Sequence, residues 1–168
     1  MDREAYVKVL KYAMEMEKKA EEFYTMYKDK VQEESNKAIF KELSEMEDDH
    51  YEILEKQLKK VEKDGEFEHV DVAKLSGGED IFKLSERDIE SIDFSKEVED
   101  LPILRMAYAM ESHFAEFYAK AAEKAEDPNA KALLETLAKW ELVHKESFRK
   151  EIEFAMENSW FNSGFYPL

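Results

Sequence analysis

An all-α four-helix bundle with one long crossover is the fold this sequence predicts, and three observations carry the prediction. Only four glycines and three prolines occur, while Ala, Glu, Lys, Leu and Met are abundant, a composition of long helices rather than of turn-rich sheets. Apolar residues recur at three- and four-residue steps over four long stretches, which is the pattern of helices with one buried face. The 168 residues suit a single domain, since a chain of this size buries roughly 68–70% of its unfolded surface around one core.

The first helix spans about residues 4–31, with Tyr6, Leu10, Ala13, Ala20, Tyr24, Tyr27 and Val31 on its stripe. Glu33 to Asn36 breaks it, and Ser35 is the predicted N-cap of a second helix over about 36–60, marked by Ile39, Phe40, Leu43, Leu54 and Leu58. The short connection makes the two antiparallel neighbours. Residues 61–99, with Gly65, the Gly77-Gly78 pair and scattered Ser and Asp, read as a long crossover holding one or two short helical turns, because long structureless loops are uncommon in compact domains. A third helix over about 100–126 tolerates Pro102 in its first turn and carries Leu104, Ala107, Phe114, Tyr118 and Ala121. Asp127-Pro128 is a cap followed by a first-turn proline, opening a fourth helix over about 128–158 with Leu134, Leu137, Phe148, Ile152 and Ala155 on its apolar face. Trp160, Phe161, Phe165 and Tyr166 form an aromatic tail expected to dock on its own domain or on a neighbouring subunit, because exposed rings at that density promote aggregation.

Forty-one Asp and Glu against twenty-five Lys and Arg give a net charge of -16, which disfavours nucleic acid phosphate and anionic membrane surfaces as partners. No stretch has the length and apolarity of a membrane span and no leader is evident, so a soluble, cytoplasmic protein is expected. The absence of cysteine excludes disulfides, thiolate-held iron–sulfur centres and Cys-type zinc sites within these residues. A metal here is held by oxygen and nitrogen.

Charged residues interrupt the apolar stripes at specific points. Leu10, Glu17, Tyr24 and Val31 share one seven-residue column, and Phe40, Glu47, Leu54 and Val61 share another, with His50 beside it. Glu47 and His50 are three residues apart, which puts both on one helix face within reach of a common ion, and Glu141 and His144 repeat the spacing. Adding 94 to each position carries Ala13 to Ala107, Glu17 to Glu111, Phe23 to Phe117, Tyr24 to Tyr118, Glu47 to Glu141 and His50 to His144. Two such hairpins about a pseudo-two-fold axis bring Glu17, Glu47, His50, Glu111, Glu141 and His144 together at mid-bundle, the ligand set of a dinuclear metal centre. By symmetry Glu47 and Glu141 are the expected bridges, with Glu17 and Glu111 terminal. Nitrogen and oxygen ligands suit two iron ions, with manganese or zinc as alternatives. Tyr24 and Tyr118 are expected to hold a facing carboxylate through their hydroxyls, or else to be ordinary core aromatics. The alternative for the six residues together is a metal-free polar network.

These segments resemble the ferritin-like di-iron superfamily and, within it, the rubrerythrin-like proteins. The resemblance rests on the Ala13 to Tyr24 segment around Glu17, the Glu-x-x-His at Glu47, the Ala107 to Tyr118 segment around Glu111 and the second Glu-x-x-His at Glu141. It implies a ferritin-like bundle whose bridged di-iron site reacts with peroxide or oxygen, in a homodimer or larger assembly. The implied activity is that of an oxidoreductase, and the alternative is a metal-binding structural or iron-handling protein acting in iron oxidation or storage. Rubrerythrins usually append a rubredoxin domain with four cysteines, so for this chain the resemblance implies a separate electron-donor protein. Rubrerythrins also tend to carry a further Glu three residues after the third-helix ligand, where this sequence has Phe114, which leaves the plain six-ligand arrangement.

His69 is expected in a surface loop, and His113 on a helix face turned away from the site. The acidic runs at Glu21-Glu22, Glu33-Glu34, Asp48-Asp49 and Glu97 to Asp100 read as solvated faces, and Met14, Met16, Met106 and Met110 as adaptable core filler.

Overall fold

The computed structural model describes residues 1–71 and 93–162, the side chains of Phe94 and of residues 158–162 excepted. Among the described residues there are four helices and no strand: α1 (Arg3–Tyr27), α2 (Glu34–Asp64), α3 (Phe94–Lys124) and α4 (Pro128–Asn162). Helix α1 packs along α2 and α3 along α4, so the chain forms two helical hairpins, and α1 meets α3 between them. None of these helices is long and apolar enough to cross a membrane.

The predicted stripes become the core. Leu10, Glu17 and Tyr24 of α1 are fully buried, as are Phe40, Glu47 and Leu54 of α2. The second hairpin repeats the arrangement with Leu104, Glu111 and Tyr118 of α3 and Leu134, Glu141 and Phe148 of α4. Each column therefore sets one carboxylate between apolar or aromatic neighbours one heptad away on either side. Burying each large apolar member stabilises the fold by about 1.5–3 kcal/mol. Met16 is buried and Met14 and Met110 pack against the core, but Met106 is 50% exposed and is not core filler.

The helix ends depart from the predicted ones, and tertiary contacts explain why. The Asp2 carboxylate caps α1 by accepting from the Ala5 amide at 2.8 Å. The helix closes at Tyr27, short of residue 31, because the amides of Lys30 and Val31 both return to the Tyr27 carbonyl. Helix α2 starts at Glu34, so Ser35 lies within its first turn and is not the N-cap; the N-cap residue Glu33 makes no side-chain cap bond. Asp100, reaching across from α3 and 1% exposed, ties this corner down instead. Its carboxylate accepts from the Gln32 amide at 2.7 Å, the Glu33 amide at 3.1 Å and Asn36 Nδ2 at 2.8 Å.

At its other end α2 runs to Asp64 rather than residue 60. Gly65 ends it in the left-handed region at φ 71°, donating its amide to the Val61 carbonyl. The Arg3 guanidinium donates to the carbonyls of Val61 and Glu62, the latter at 2.7 Å, so a cation from α1 satisfies the helix C-terminus. The crossover thus begins after Gly65, and its first residues are pinned. Gln57 exchanges two hydrogen bonds with the backbone of Glu68, Asn129 Nδ2 donates to the Phe67 carbonyl, and the Phe67 ring meets Tyr6 edge-on at 4.6 Å. The expected short helical turns of the crossover fall largely on residues 72–92, outside the described residues.

Helix α3 starts at Phe94, not near residue 100, because Asp93 supplies the cap, accepting from the Ser95 amide and hydroxyl. Pro102 therefore sits inside the helix rather than in its first turn. It deprives the Val98 carbonyl of an amide, and Val98 is 37% exposed, where water can serve that carbonyl. The earlier start also turns Glu97 and Asp100 inward; both are buried and neither is part of a solvated face. The Asp127-Pro128 junction forms as predicted, with Asp127 Oδ1 accepting from the amides of Asn129 and Ala130. Helix α4 continues to Asn162, so Trp160 and Phe161 belong to its backbone rather than to a tail, while Phe165 and Tyr166 lie outside the described residues.

Replacing Asp100 by Ala strands two amides and a buried carboxamide, and urea unfolding is expected to show a loss of about 2–4 kcal/mol. Replacing Ser35 by Ala should change stability by no more than about 0.5 kcal/mol. Equal losses in the two variants would contradict the assignment of the clamp to Asp100.

Candidate metal centre

The helices deliver all six sequence-predicted residues to one place. Glu17 comes from α1, Glu47 and His50 from α2, Glu111 from α3, and Glu141 and His144 from α4, and every one is 0% exposed. Their side chains form two overlapping groups, Glu17, Glu47, His50 and Glu141, and Glu47, Glu111, Glu141 and His144. Within each group one donor atom per residue lies within 4.8 Å of all the others. Glu47 and Glu141 belong to both groups, and Glu17 and Glu111 to one each.

The individual oxygens follow the same division. His50 Nδ1 lies 3.1 Å from Glu47 Oε2, 3.4 Å from Glu141 Oε1 and 3.8 Å from Glu17 Oε2. His144 Nδ1 lies 4.0 Å from Glu47 Oε1, 3.7 Å from Glu141 Oε2 and 3.8 Å from Glu111 Oε2. Each shared carboxylate thus turns one oxygen toward each imidazole. Tyr24 Oη donates to Glu111 Oε1, and Tyr118 Oη donates to Glu17 Oε1, so each tyrosine locks a carboxylate of the opposite hairpin. The remaining oxygens, Glu17 Oε2 and Glu111 Oε2, face the cluster.

Those inward atoms are the ones without hydrogen bonds. Glu17 Oε2, Glu47 Oε1, Glu111 Oε2, both Glu141 oxygens and His144 Nδ1 are buried and unpartnered among the described residues. No Lys or Arg among the described residues pairs with any of the four carboxylates. Buried oxygens in this state are costly unless a cation serves them, and the four carboxylates match the charge of two divalent ions. The donor set, one imidazole nitrogen and three carboxylates per group, suits iron, manganese or zinc. The residues therefore fit a binuclear centre. The Nε2 atoms of both imidazoles also lack a hydrogen bond among the described residues.

Without metal the cluster retains protons. Burial, then repulsion from Glu141 and Glu17, pushes the Glu47 carboxyl well above the usual carboxylate range. Burial and Glu141 push Glu111 up to about 8. Burial would raise Glu141 too, but the adjacent His144 and His50 imidazoles prevail and hold it well below that range. Burial works against charge on both imidazoles; contacts with Glu141, Glu17 and Glu47 nevertheless hold His50 well above its ordinary value, and Glu111 and Glu141 raise His144 to about 10. Burial and the adjacent carboxylates keep the Tyr24 and Tyr118 hydroxyls protonated.

His69 and His113 are exposed and take no part. Phe114, one turn beyond Glu111, is buried and offers no further carboxylate. One neighbour was not singled out from the sequence: the Trp140 indole stacks on the His50 ring, with centroids 5.1 Å apart and planes 13° apart. Its position immediately before Glu141 was the available signal.

The rubrerythrin family model matches residues 8–152, a span holding all four helices' contributions to the cluster. No curated protein and no solved structure matches the chain.

The retained protons give a pH dependence. Glu111, raised from 4.5 to about 8, and His144, raised from 6.5 to about 10, bind protons more tightly folded than unfolded. Their stabilising contribution is complete below the ordinary value and is lost as pH rises through the raised one. The melting temperature of metal-free protein is therefore expected to fall as pH rises through 4.5–8 and 6.5–10, and a bound divalent ion should suppress the fall. A flat or rising profile of the metal-free protein would contradict the proton-holding cluster.

Proposed function

This chain belongs to the rubrerythrin family, and on that premise we propose that it is a di-iron carboxylate oxidoreductase that reduces peroxide or dioxygen with electrons from an external donor. The observation that carries this reading is the pair of buried ligand groups sharing Glu47 and Glu141. Glu17 and His50 would hold one ion and Glu111 and His144 the other, with Glu47 and Glu141 common to both groups. An iron pair held by these residues would supply the two-electron redox chemistry that such a reduction needs.

The protein's own groups prepare the site for that chemistry. Tyr24 and Tyr118 occupy the outer oxygens of Glu111 and Glu17, which leaves the inner oxygens as ligands and fixes each carboxylate's rotation. Both hydroxyls retain their protons, so they act as donors throughout. Leu10, Leu54, Leu104, Leu134, Phe40 and Phe148, all fully buried, limit water around the centre and confine the oxidant to the ligand cluster. The 168 residues contain no cysteine, so they hold no thiolate-ligated relay and the reducing electrons are supplied from outside them, and a homo-oligomer is the assembly in keeping with the family.

Replacing Glu47 or Glu141 by Ala removes a ligand from both ions and is expected to cut bound metal from two ions per chain toward none, while His69→Ala retains both. Elemental analysis of the three variants checks this, and equal loading in all of them would sink the ligand assignment. For the activity, peroxide added to anaerobic ferrous-loaded protein should cause rapid growth of ferric absorption, followed by steady turnover once a reductant is present. Loaded protein that shows neither, and only melts lower after chelation, would instead be a metal-binding structural module.

A further inference from the structure

We infer that Trp140 is the contact through which electrons from an external one-electron donor enter the centre, on its His50 side. The inference rests on the redox reading above. The indole lies flat on the His50 imidazole, 5.1 Å between centroids and 13° between planes, while the Nδ1 of the same imidazole faces Glu47 and Glu141. A single stacked contact therefore joins the ligand cluster to a polarisable ring. The six cluster residues are 0% exposed, whereas Trp140, itself largely buried, retains 8% of its surface open.

The alternatives are longer. Tyr118, bonded to Glu17, leads through Phe117 at 5.4 Å to Tyr12 at a further 5.0 Å, where 46% of the tyrosine is exposed. Tyr24 leads through Phe23 at 5.4 Å to Tyr27 at a further 4.7 Å. Each route crosses a carboxylate, a hydrogen bond and one ring-to-ring gap before its first partly exposed ring, Phe117 or Phe23, and a second gap before the outer tyrosine, and electron tunnelling weakens steeply with every gap between bonded groups. The indole route has one such gap.

The repeat makes the route one-sided. Subtracting 94 from Trp140 gives Met46, a thioether where the other hairpin has an indole, so the two metal positions differ in their access to electrons although their ligands match. In each transfer the donor loses one electron, which passes through the indole to the ferric ion beside His50 and makes it ferrous. No bond in Trp140 forms or breaks. Two transfers restore the ferrous pair, and the donor is oxidised by the same two electrons.

Two measurements test this. Trp160→Phe leaves Trp140 as the sole tryptophan, and its fluorescence should fall several-fold on loading with paramagnetic ferrous ions but not with zinc. Absence of quenching in Trp160→Phe would overturn the contact. Under anaerobic conditions, reduction of the ferric-loaded protein by a reduced viologen, followed by loss of ferric absorption, should slow several-fold in Trp140→Leu and less in Trp140→Phe, and should be unchanged in Tyr12→Leu. Iron content is matched by elemental analysis, and if Trp140→Leu holds too little iron, the rate in Trp140→Phe decides. Wild-type rates in the Trp140 variants, or slowing in Tyr12→Leu instead, would overturn the inference and leave the redox function standing. A wild-type protein that cannot be cycled between ferric and ferrous forms would remove the redox function itself, and this inference with it.

Discussion

Four carboxylates at 0% exposure, with only two imidazoles of opposite potential charge beside them, are the constraint on which the rest of this structure turns. A carboxylate removed from water costs several kcal/mol unless paired or coordinated, and the columns that carry these four are otherwise apolar. Protons relieve part of the strain, which is why Glu47 and Glu111 are pushed up and both imidazoles hold their charge in the metal-free cluster. Two divalent cations would balance it, since their charge equals that of the four carboxylates and the inward donor atoms lie within 4.8 Å of one another in two overlapping groups.

The outer parts of the fold serve this alignment. Tyr24 and Tyr118 each cross from one hairpin to the other to hold a carboxylate, so the centre also joins the two hairpins. Asp100 fastens the α1–α2 corner to α3, and Arg3 fastens the end of α2 to the start of α1. These ties fix the register in which the heptad columns face one another. A slip of one residue would rotate each carboxylate by about 100° away from the axis, given 3.6 residues per turn.

The clustering of the six residues was legible in the sequence because its information is local and repeated. A Glu-x-x-His uses only helix geometry, and the 94-residue offset shows that the pattern occurs twice with the same lone Glu and Tyr on the partner helix. The helix interiors were legible for the same reason. The ends were not, because they depend on residues distant in sequence: no local signal marks Asp100 as the anchor for Gln32 and Glu33, or Arg3 as a cap for Val61 and Glu62. The misreading of Glu97 and Asp100 as solvated followed from that, since starting α3 near residue 100 left them outside the helix whose inner face they occupy. Trp140 sits four residues before His144, yet its ring lies on His50 of the other hairpin, a juxtaposition that only packing decides.

The most direct measurement is a crystal structure of protein purified without added metal, with anomalous scattering recorded at the edges of iron, manganese and zinc. The account predicts two anomalous peaks per chain between Glu47 and Glu141, one beside His50 Nδ1 and one beside His144 Nδ1. A well-ordered cluster with no peak, its carboxylates closed on one another through shared protons, would contradict it.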